Sequence, residues 1–328
     1  MSSDSAQRMA AASEPAPITL SIICVNWNSL DFLLDCIASI YEGAPDSPFE
    51  IVVVDNASTE RGLELLKDRF PLVRLVKSDR NLGFAGANNL GIRNSSGRYI
   101  LLLNPDTKVI GSAVGLLLRS IEALPDAGIV GGTLLNGDLS VSTTSIQKFP
   151  TILNQFLTAE WLRVRYPSLP LWNIAPLFSK HSGPLKVDVI PGACMMLRRS
   201  ALEQAGLLTE DYFMYAEDID LNYKIKKLGY ASYYVAEAQV IHYGGRSSAR
   251  QQVSQWSTLM TCRAMLRYFR TTRGFLYALA YRATMGSAAL IRLALLAAMR
   301  LFGNREGIGY SAAKWRTILR WSVGIEQA

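Results

Sequence analysis

Apolar runs and helical spacings alternate along the first half of the chain. Residues 19–27, TLSIICVNW, predict a buried strand, and residues 30–41 carry apolar positions at helical period. The succession repeats as strand 49–55 (FEIVVVD), helix 59–70, strand 73–78 (VRLVKS) and helix 84–97, which Ser and Gly close. An apolar strand, 100–103, then a helix near 111–124 and a strand at 128–135 follow. Strands that are apolar throughout, alternating with helices at short intervals, predict an α/β fold with a parallel, doubly wound sheet.

Residues 136–186 break the rhythm. Pro150, Pro167, Pro170, Pro176 and Pro184 punctuate them, and Trp161, Tyr166 and Trp172 lie among these. Two readings stand: an insertion that shapes a pocket, or a structural loop packed on the sheet. Strand-like pattern returns at VDVIPGACMMLRR (187–199), followed by helix 200–205, helix 216–229 and a strand pair over 230–242. No internal repeat is visible. The limits drawn are a disordered lead-in over 1–17, a catalytic domain over 18–248 and a helical tail over 249–328.

Composition changes this picture at three points. The first residues are rich in Ser, Ala and Pro without an apolar core, unlike a signal peptide. The cysteines, Cys24, Cys36, Cys194 and Cys262, have no metal-type spacing and read as free thiols of a reducing compartment. The net charge of +7 is unevenly placed: residues 250–328 hold twelve Lys/Arg against Glu306 and Glu326, leaving residues 1–249 at about −3. The basic character therefore belongs to the tail. Its apolar stretch, FLYALAYRATMGSAALIRLALLAAMRLF, is cut by Arg282, Arg292 and Arg300, so no run of 18 uncharged apolar residues exists.

The candidate chemistry sits where strands end. Ligands of open α/β sheets bind outside the carboxyl ends of the strands. The run ILLL (100–103) ends in Asn104, Pro105, Asp106 and Thr107; Asp106 suits a hard divalent cation bridging phosphates, and Asn104 can lend a carbonyl oxygen. Asp55, ending the second strand, is placed for a ribose or base, or else caps the next helix, a task Ser58 can take instead. The segment SDRNLGFAGANNLGI (78–92) opens a helix, whose amides favour an anion, with Arg80 beside it. A dinucleotide-binding oxidoreductase is excluded, because VNWNSLDF after the first strand has no glycine.

In EDIDLNYKIKK (217–227), helical spacing puts Asp218 on the apolar side and Glu217, Asp220, Lys224 and Lys227 on another, with Asp220 as a solvated partner of Lys224. Tyr212, Phe213 and Tyr215 would limit water near Asp218 and lift its pKa toward a general base's range; the alternative is an acid that suits the helix dipole. His242 ends a later strand, where imidazole is a common metal ligand. His181 is given no role.

These residues resemble glycosyltransferase family 2, within it the bacterial rhamnosyltransferase-like branch. The likeness is carried by VNWNS (25–29), VVVDNAS (52–58), NLGFAGANNLGI (81–92), LLLNPDT (101–107), PGACMMLRR (191–199), FMYAEDIDLNYKIKKLGY (213–230) and IHYGG (241–245). The resemblance implies a GT-A fold, that is a Rossmann-like α/β unit with a mixed, mainly parallel sheet flanked by helices, together with a nucleotide-sugar donor, Mg²⁺ or Mn²⁺, and inversion at the anomeric carbon. It gives Asp218 the role of base, and Asp106 and His242 that of metal ligands, with Asn104 replacing the first acid of the usual D-x-D. It places Asn26, Asp55, Arg80, Asn81, Gly83, Phe84, Asn88 and Asn104 at the donor, and Glu217, Trp161 and Trp172 on the acceptor side. The implied donor is a dTDP- or UDP-sugar, with dTDP-rhamnose first, and the implied acceptor is polyprenyl-linked or a polysaccharide.

The tail reads either as a basic amphipathic element on an anionic membrane surface or as helices packed on the catalytic domain. The first reading implies a cytoplasmic protein, peripheral on the inner face of the membrane. The tail has no nucleic-acid-binding motif, so no nucleic-acid partner is expected. The rivals are a galactofuranosyl or other hexosyl transferase, and a catalytically silent assembly protein; the retained Asp55, Asp106 and Asp218 argue against the latter.

Overall fold

A computed structural model describes residues 17–157, 183–244, 255–301 and 308–325. Trp161, Tyr166, Trp172, His181 and residues 1–16 of the N-terminal lead-in lie outside the described residues.

The first half follows the apolar pattern. Strands β1 (Leu20–Asn26), β2 (Phe49–Asn56), β3 (Arg74–Ser78) and β4 (Tyr99–Leu103) run parallel in the order β3-β2-β1-β4. Helices α1 (Leu30–Glu42), α2 (Glu64–Arg69) and α3 (Gly83–Arg93) connect them. Successive strand residues point to opposite faces. Leu20, Ile22 and Cys24 accordingly join one buried cluster and Ile23 another, which is why the whole run is apolar.

Beyond β4 the sheet becomes mixed. Strands β5 (Thr107–Val109), β6 (Ala127–Leu135), β7 (Leu185–Val187), β8 (Cys194–Arg198) and β9 (Ala231–His242) complete nine, with helices α4 (Ala113–Ala123), α5 (Ile152–Phe156), α6 (Arg199–Gln204) and α7 (Glu217–Lys227). The order continues β4-β8-β6-β9-β5, with β7 also on β9. Strand β8 is antiparallel to both β4 and β6, and β9 is parallel to β6. The expected strand pair over 230–242 is one twelve-residue strand, whose register on β6 slips between Gly132 and Thr133.

The expected helix 59–70 is shortened to Glu64–Arg69. The side chain of Asn28 accepts from Thr59 N and Glu60 N, which holds the first residues in a loop. Glu60 then reaches back: its carboxylate accepts from Ser29 N and Leu30 N at the start of α1. A negative charge suits a helix N-terminus.

The tail forms α8 (Gln255–Arg273), α9 (Phe275–Leu301) and α10 (Ile308–Ser322). These pack on the sheet domain: Val189, Tyr212, Ala216 and Ile219 share one buried cluster with Tyr268, Phe269, Tyr281 and Trp321. All four cysteines are free and buried.

Candidate active site

Because β1, β2 and β4 are parallel, their carboxyl ends open on one edge. There β4 ends at Leu103, and Asn104 N donates to Ala193 O at 3.0 Å. The chain turns through Asn104–Thr107, closed by Thr107 Oγ1 donating to Asn104 O at 2.7 Å. It then enters β5, which pairs Thr107 with His242. This register brings His242 Nε2 to 3.3 Å from Asp106 Oδ1 and 3.4 Å from Asn104 Nδ2. Three residues expected at the donor and metal thus converge on one edge, although 138 positions separate Asn104 from His242. Cys36 of α1 lies behind the turn, with Sγ 3.4 Å from Thr107 Oγ1.

Asp218, expected as the base, is tied to the same place. Asp218 Oδ2 accepts from Gly192 N at 3.1 Å, and its Oδ1 accepts from Ile219 N at 2.8 Å. Gly192 adjoins Ala193, whose carbonyl holds Asn104, so two consecutive residues link the carboxylate of α7 to the turn carrying Asp106. A Cβ at Gly192 would come 3.0 Å from the Phe84 ring. Phe84 therefore packs beside the acid.

Strained backbone delivers this acid. Tyr215 (φ 74°) and Ala216 (φ 65°) are consecutive non-glycine residues in the left-handed region just before α7. Such residues cost of order 1–3 kcal/mol each and concentrate at functional sites. Asn222, one turn on, is fully buried and donates to Ile190 O and Asp218 O, while its Oδ1 accepts from Ile190 N. It fastens the 190–192 segment to the helix.

Burial raises the Asp218 pKa, and the Gly192 and Ile219 amides oppose that rise. Its neighbour Glu217 is pushed up to about 8 by burial and then by the Asp218 charge. Glu217 Oε2 is buried and makes no hydrogen bond. A carboxyl whose folded pKa exceeds its unfolded value binds more protons in the folded state, so stability falls as pH rises from the ordinary carboxylate range to about 8. Replacing Glu217 with Gln should remove most of that fall, of order a few kcal/mol, leaving Asp218's own contribution of the same sign. Urea unfolding at about pH 5 and about pH 9 checks it; an unchanged difference between the two would refute the assignment.

Other expected residues take different places. Asp220 is not solvated: it is 2% exposed, and its Oδ2 accepts from Thr209 Oγ1 at 2.6 Å and lies 3.8 Å from Lys224 Nζ. The Leu207–Thr209 loop covers that helix face, and Leu207 O accepts from Lys224 Nζ. Asn26 is fully buried; it donates to Ser58 Oγ and Glu60 Oε1 and accepts from Ser29 Oγ, so it ties the end of β1 to the start of α1 and the loop after β2. Asp55 caps no helix, since α2 starts at Glu64; its Oδ1 accepts from Ser58 N.

The expected amide cradle at the start of α3 is not open. Leu82 N donates to Asn56 Oδ1, Gly83 N to Asn81 Oδ1, and Phe84 N to Phe213 O. These donors are already satisfied, so no anion is held there through them. Gly83 (φ 71°) is required by the close approach, because a Cβ would lie 2.2 Å from Phe213 O. Asn88 turns back to donate to Phe84 O. Arg80 stays exposed after β3.

Asn56 and Glu60, to which the sequence pattern assigns no role, organise this edge. Their bonds reach across 25 to 34 positions of sequence and leave no periodic trace.

A divalent cation is compatible with the edge. Asp106 and His242 supply a carboxylate oxygen and an imidazole nitrogen, whereas Asn104 meets His242 through Nδ2 and its main-chain oxygen already accepts from Thr107 Oγ1. No group of three or more His, Cys, Asp or Glu suited to a metal occurs among the described residues. A cation here would need oxygens from a bound ligand or water to complete its shell, which is the usual habit of Mg²⁺ with phosphates.

The model of the family described as "Glycosyl transferase family 2" matches residues 21–206. The chain belongs to glycosyltransferase family 2. Asp218 and His242 lie beyond the matched residues, on α7 and β9 of the same sheet domain. The enzyme is 29% identical over 247 residues to the N-acetylglucosaminyl-diphospho-decaprenol L-rhamnosyltransferase of Mycobacterium tuberculosis, which spans 72% of this chain and 79% of that relative. It is 24% identical over 263 residues to the rhamnosyltransferase WbbL of Escherichia coli, covering 75% of this chain and 92% of the relative. Among solved structures, the mannosyltransferase of Pyrobaculum calidifontis in complex with GDP-Man and Mn²⁺ superposes with a TM-score of 0.56 at 15% identity, over 98% of this chain and 92% of that one. This likeness is one of fold, the GT-A arrangement.

Proposed function

We propose that this glycosyltransferase moves L-rhamnose from dTDP-rhamnose to a hydroxyl of a polyprenyl-linked acceptor in cell-surface polysaccharide synthesis, with inversion. The observation that carries this reading is the Gly192–Ala193 link, which fastens a carboxylate of raised pKa to the edge formed by Asn104, Asp106 and His242. The names of the Mycobacterium and Escherichia relatives support the sugar, and the decaprenol in the first supports the acceptor class. Such an acceptor would place the enzyme on the inner face of the cell membrane.

Asp218 removes the proton from the acceptor hydroxyl as its oxygen bonds to the anomeric carbon, and the bond to the diphosphate oxygen breaks on the opposite face. One displacement by one attacking oxygen inverts the centre, with no carboxylate nucleophile required. Asp106 and His242, with Asn104, would hold Mg²⁺ or Mn²⁺, which when bound offsets the charge of the departing diphosphate. Asp55 is assigned to the nucleoside, and Arg80 supplies a fixed positive charge toward the diphosphate. The 18–248 unit is assigned catalysis, and the 249–328 helices its placement.

Thermal unfolding with dTDP-, UDP- and GDP-sugars, each with and without Mg²⁺ or Mn²⁺, tests the donor. A ligand that binds only the folded state raises its stability by about 2.7 kcal/mol at a hundred times Kd. The expected result is a metal-dependent rise with dTDP-rhamnose. A rise confined to another nucleotide moves the assignment to that sugar, and no rise with any pair would refute the reading.

A further inference from the structure

Helix α9 has two unlike faces. Its 27 residues extend about 40 Å at the α-helical rise. One face is buried: Tyr281, Met285, Ala288 and Ala289 join the cluster that holds Trp315 and Trp321 of α10. The other exposes Leu276, Leu279, Leu290, Ile291, Leu295 and Met299.

In the sequence, arginines interrupt this apolar run. In the fold, two of them leave the outer face. Arg282 donates to Trp321 O at 2.7 Å and Ser322 O at 3.2 Å, at the end of α10. Arg292 donates to Phe156 O at 2.9 Å and lies 4.3 Å from the centre of the Trp315 ring. The outer stripe is therefore uncharged until Arg300. An exposed apolar surface of this kind marks a contact with a partner or a lipid phase.

Charge decides between occupants. Helices α8, α9 and α10 contain ten Arg/Lys and no acid. Arg270, Arg273, Arg300, Lys314, Arg316 and Arg320 are exposed. A second copy of the chain would set this charge against itself, whereas an anionic bilayer complements it. Helix α9 is long and apolar enough to cross a membrane by length and composition. Its inner face, however, is held by the shared core and by Arg282 and Arg292.

We propose that the outer stripe of α9 seats in the plane of an anionic bilayer's interface, with exposed cations of α8–α10 on the headgroups. The apolar side chains enter the acyl boundary while α8 and α10 keep the helix on the enzyme. This docking rests on α8–α10 alone and stands whichever sugar is moved.

The test is flotation of the full-length chain with phosphatidylcholine vesicles and with vesicles of phosphatidylcholine and phosphatidylglycerol in equal parts. The wild type should float with the anionic vesicles, and added salt should weaken this. The double variant Leu290→Ser/Leu295→Ser should lower partition roughly a hundredfold, from two lost insertions of about tenfold each. These side chains are 58% and 59% exposed, so the fold should be retained, and circular dichroism and the thermal midpoint check it. A second double variant, Arg316→Gln/Arg320→Gln, should reduce the salt dependence while leaving the stripe intact. A wild type that stays behind, or a leucine variant that floats equally well, would overturn the proposal. So would concentration-dependent dimers that the leucine variant abolishes, since a second copy would then occupy the face. Loss of the donor-induced thermal shift with intact flotation would refute the rhamnosyl reading alone.

Discussion

Replacing Asp218 with Asn is expected to lower turnover by roughly 10²–10⁴-fold, the usual worth of a positioned general base. Asn can keep a carbonyl oxygen toward Gly192 N, so the 190–193 segment and the adjoining turn should hold their places. Donor affinity should then stay within about twofold of the wild type, the pattern of an interaction used only in the transition state. The pH profile offers a second readout. Burial raises the Asp218 pKa, so activity should climb as pH rises through that raised value and the carboxylate forms. The residual activity of the Asn variant should lack this limb. Rapid-quench measurement of product at saturating donor, across pH, would show it; a variant with a wild-type rate would remove Asp218 from the chemistry.

Replacing Asp106 with Ala should act on the other step. Asp106 is buried and meets His242 at 3.3 Å, and its main-chain carbonyl accepts from Tyr243 N. The substitution leaves that backbone bond and removes the carboxylate. A charge-assisted contact is worth about 1.5–3 kcal/mol, so donor binding with Mg²⁺ or Mn²⁺ should weaken roughly 10–100-fold. Binding without metal should change little. Calorimetric titration with and without the cation separates the two, and an equal loss in both conditions would show that Asp106 does not act through a metal.

The strand ends were legible in the sequence because each closes an apolar run with a polar residue: Asn26, Asp55 and Asn104 stand where the runs predict. Asp106 and His242 were legible as acid and imidazole on such ends, but their meeting depends on β5. That three-residue strand is too short to give a pattern. Asp220 was misplaced because helical period alone cannot show that the Leu207–Thr209 loop covers its face. The closed amides of α3 leave no sequence signal for a similar reason: side chains of Asn56 and Asn81 satisfy them, and no spacing encodes that. The tail shows the same limit. Arg282 and Arg292 break the apolar run on paper, yet both face the protein and leave the outer stripe of α9 uncharged.

One measurement bears most directly on the division of labour between the two acids. It is the dissociation constant of dTDP-rhamnose with Mn²⁺, taken side by side for the wild type, Asp218→Asn and Asp106→Ala. The account predicts wild-type affinity for Asp218→Asn and a loss confined to Asp106→Ala. Equal losses in both variants would contradict it, because a base for the acceptor hydroxyl and a ligand for the donor's metal could not then be told apart.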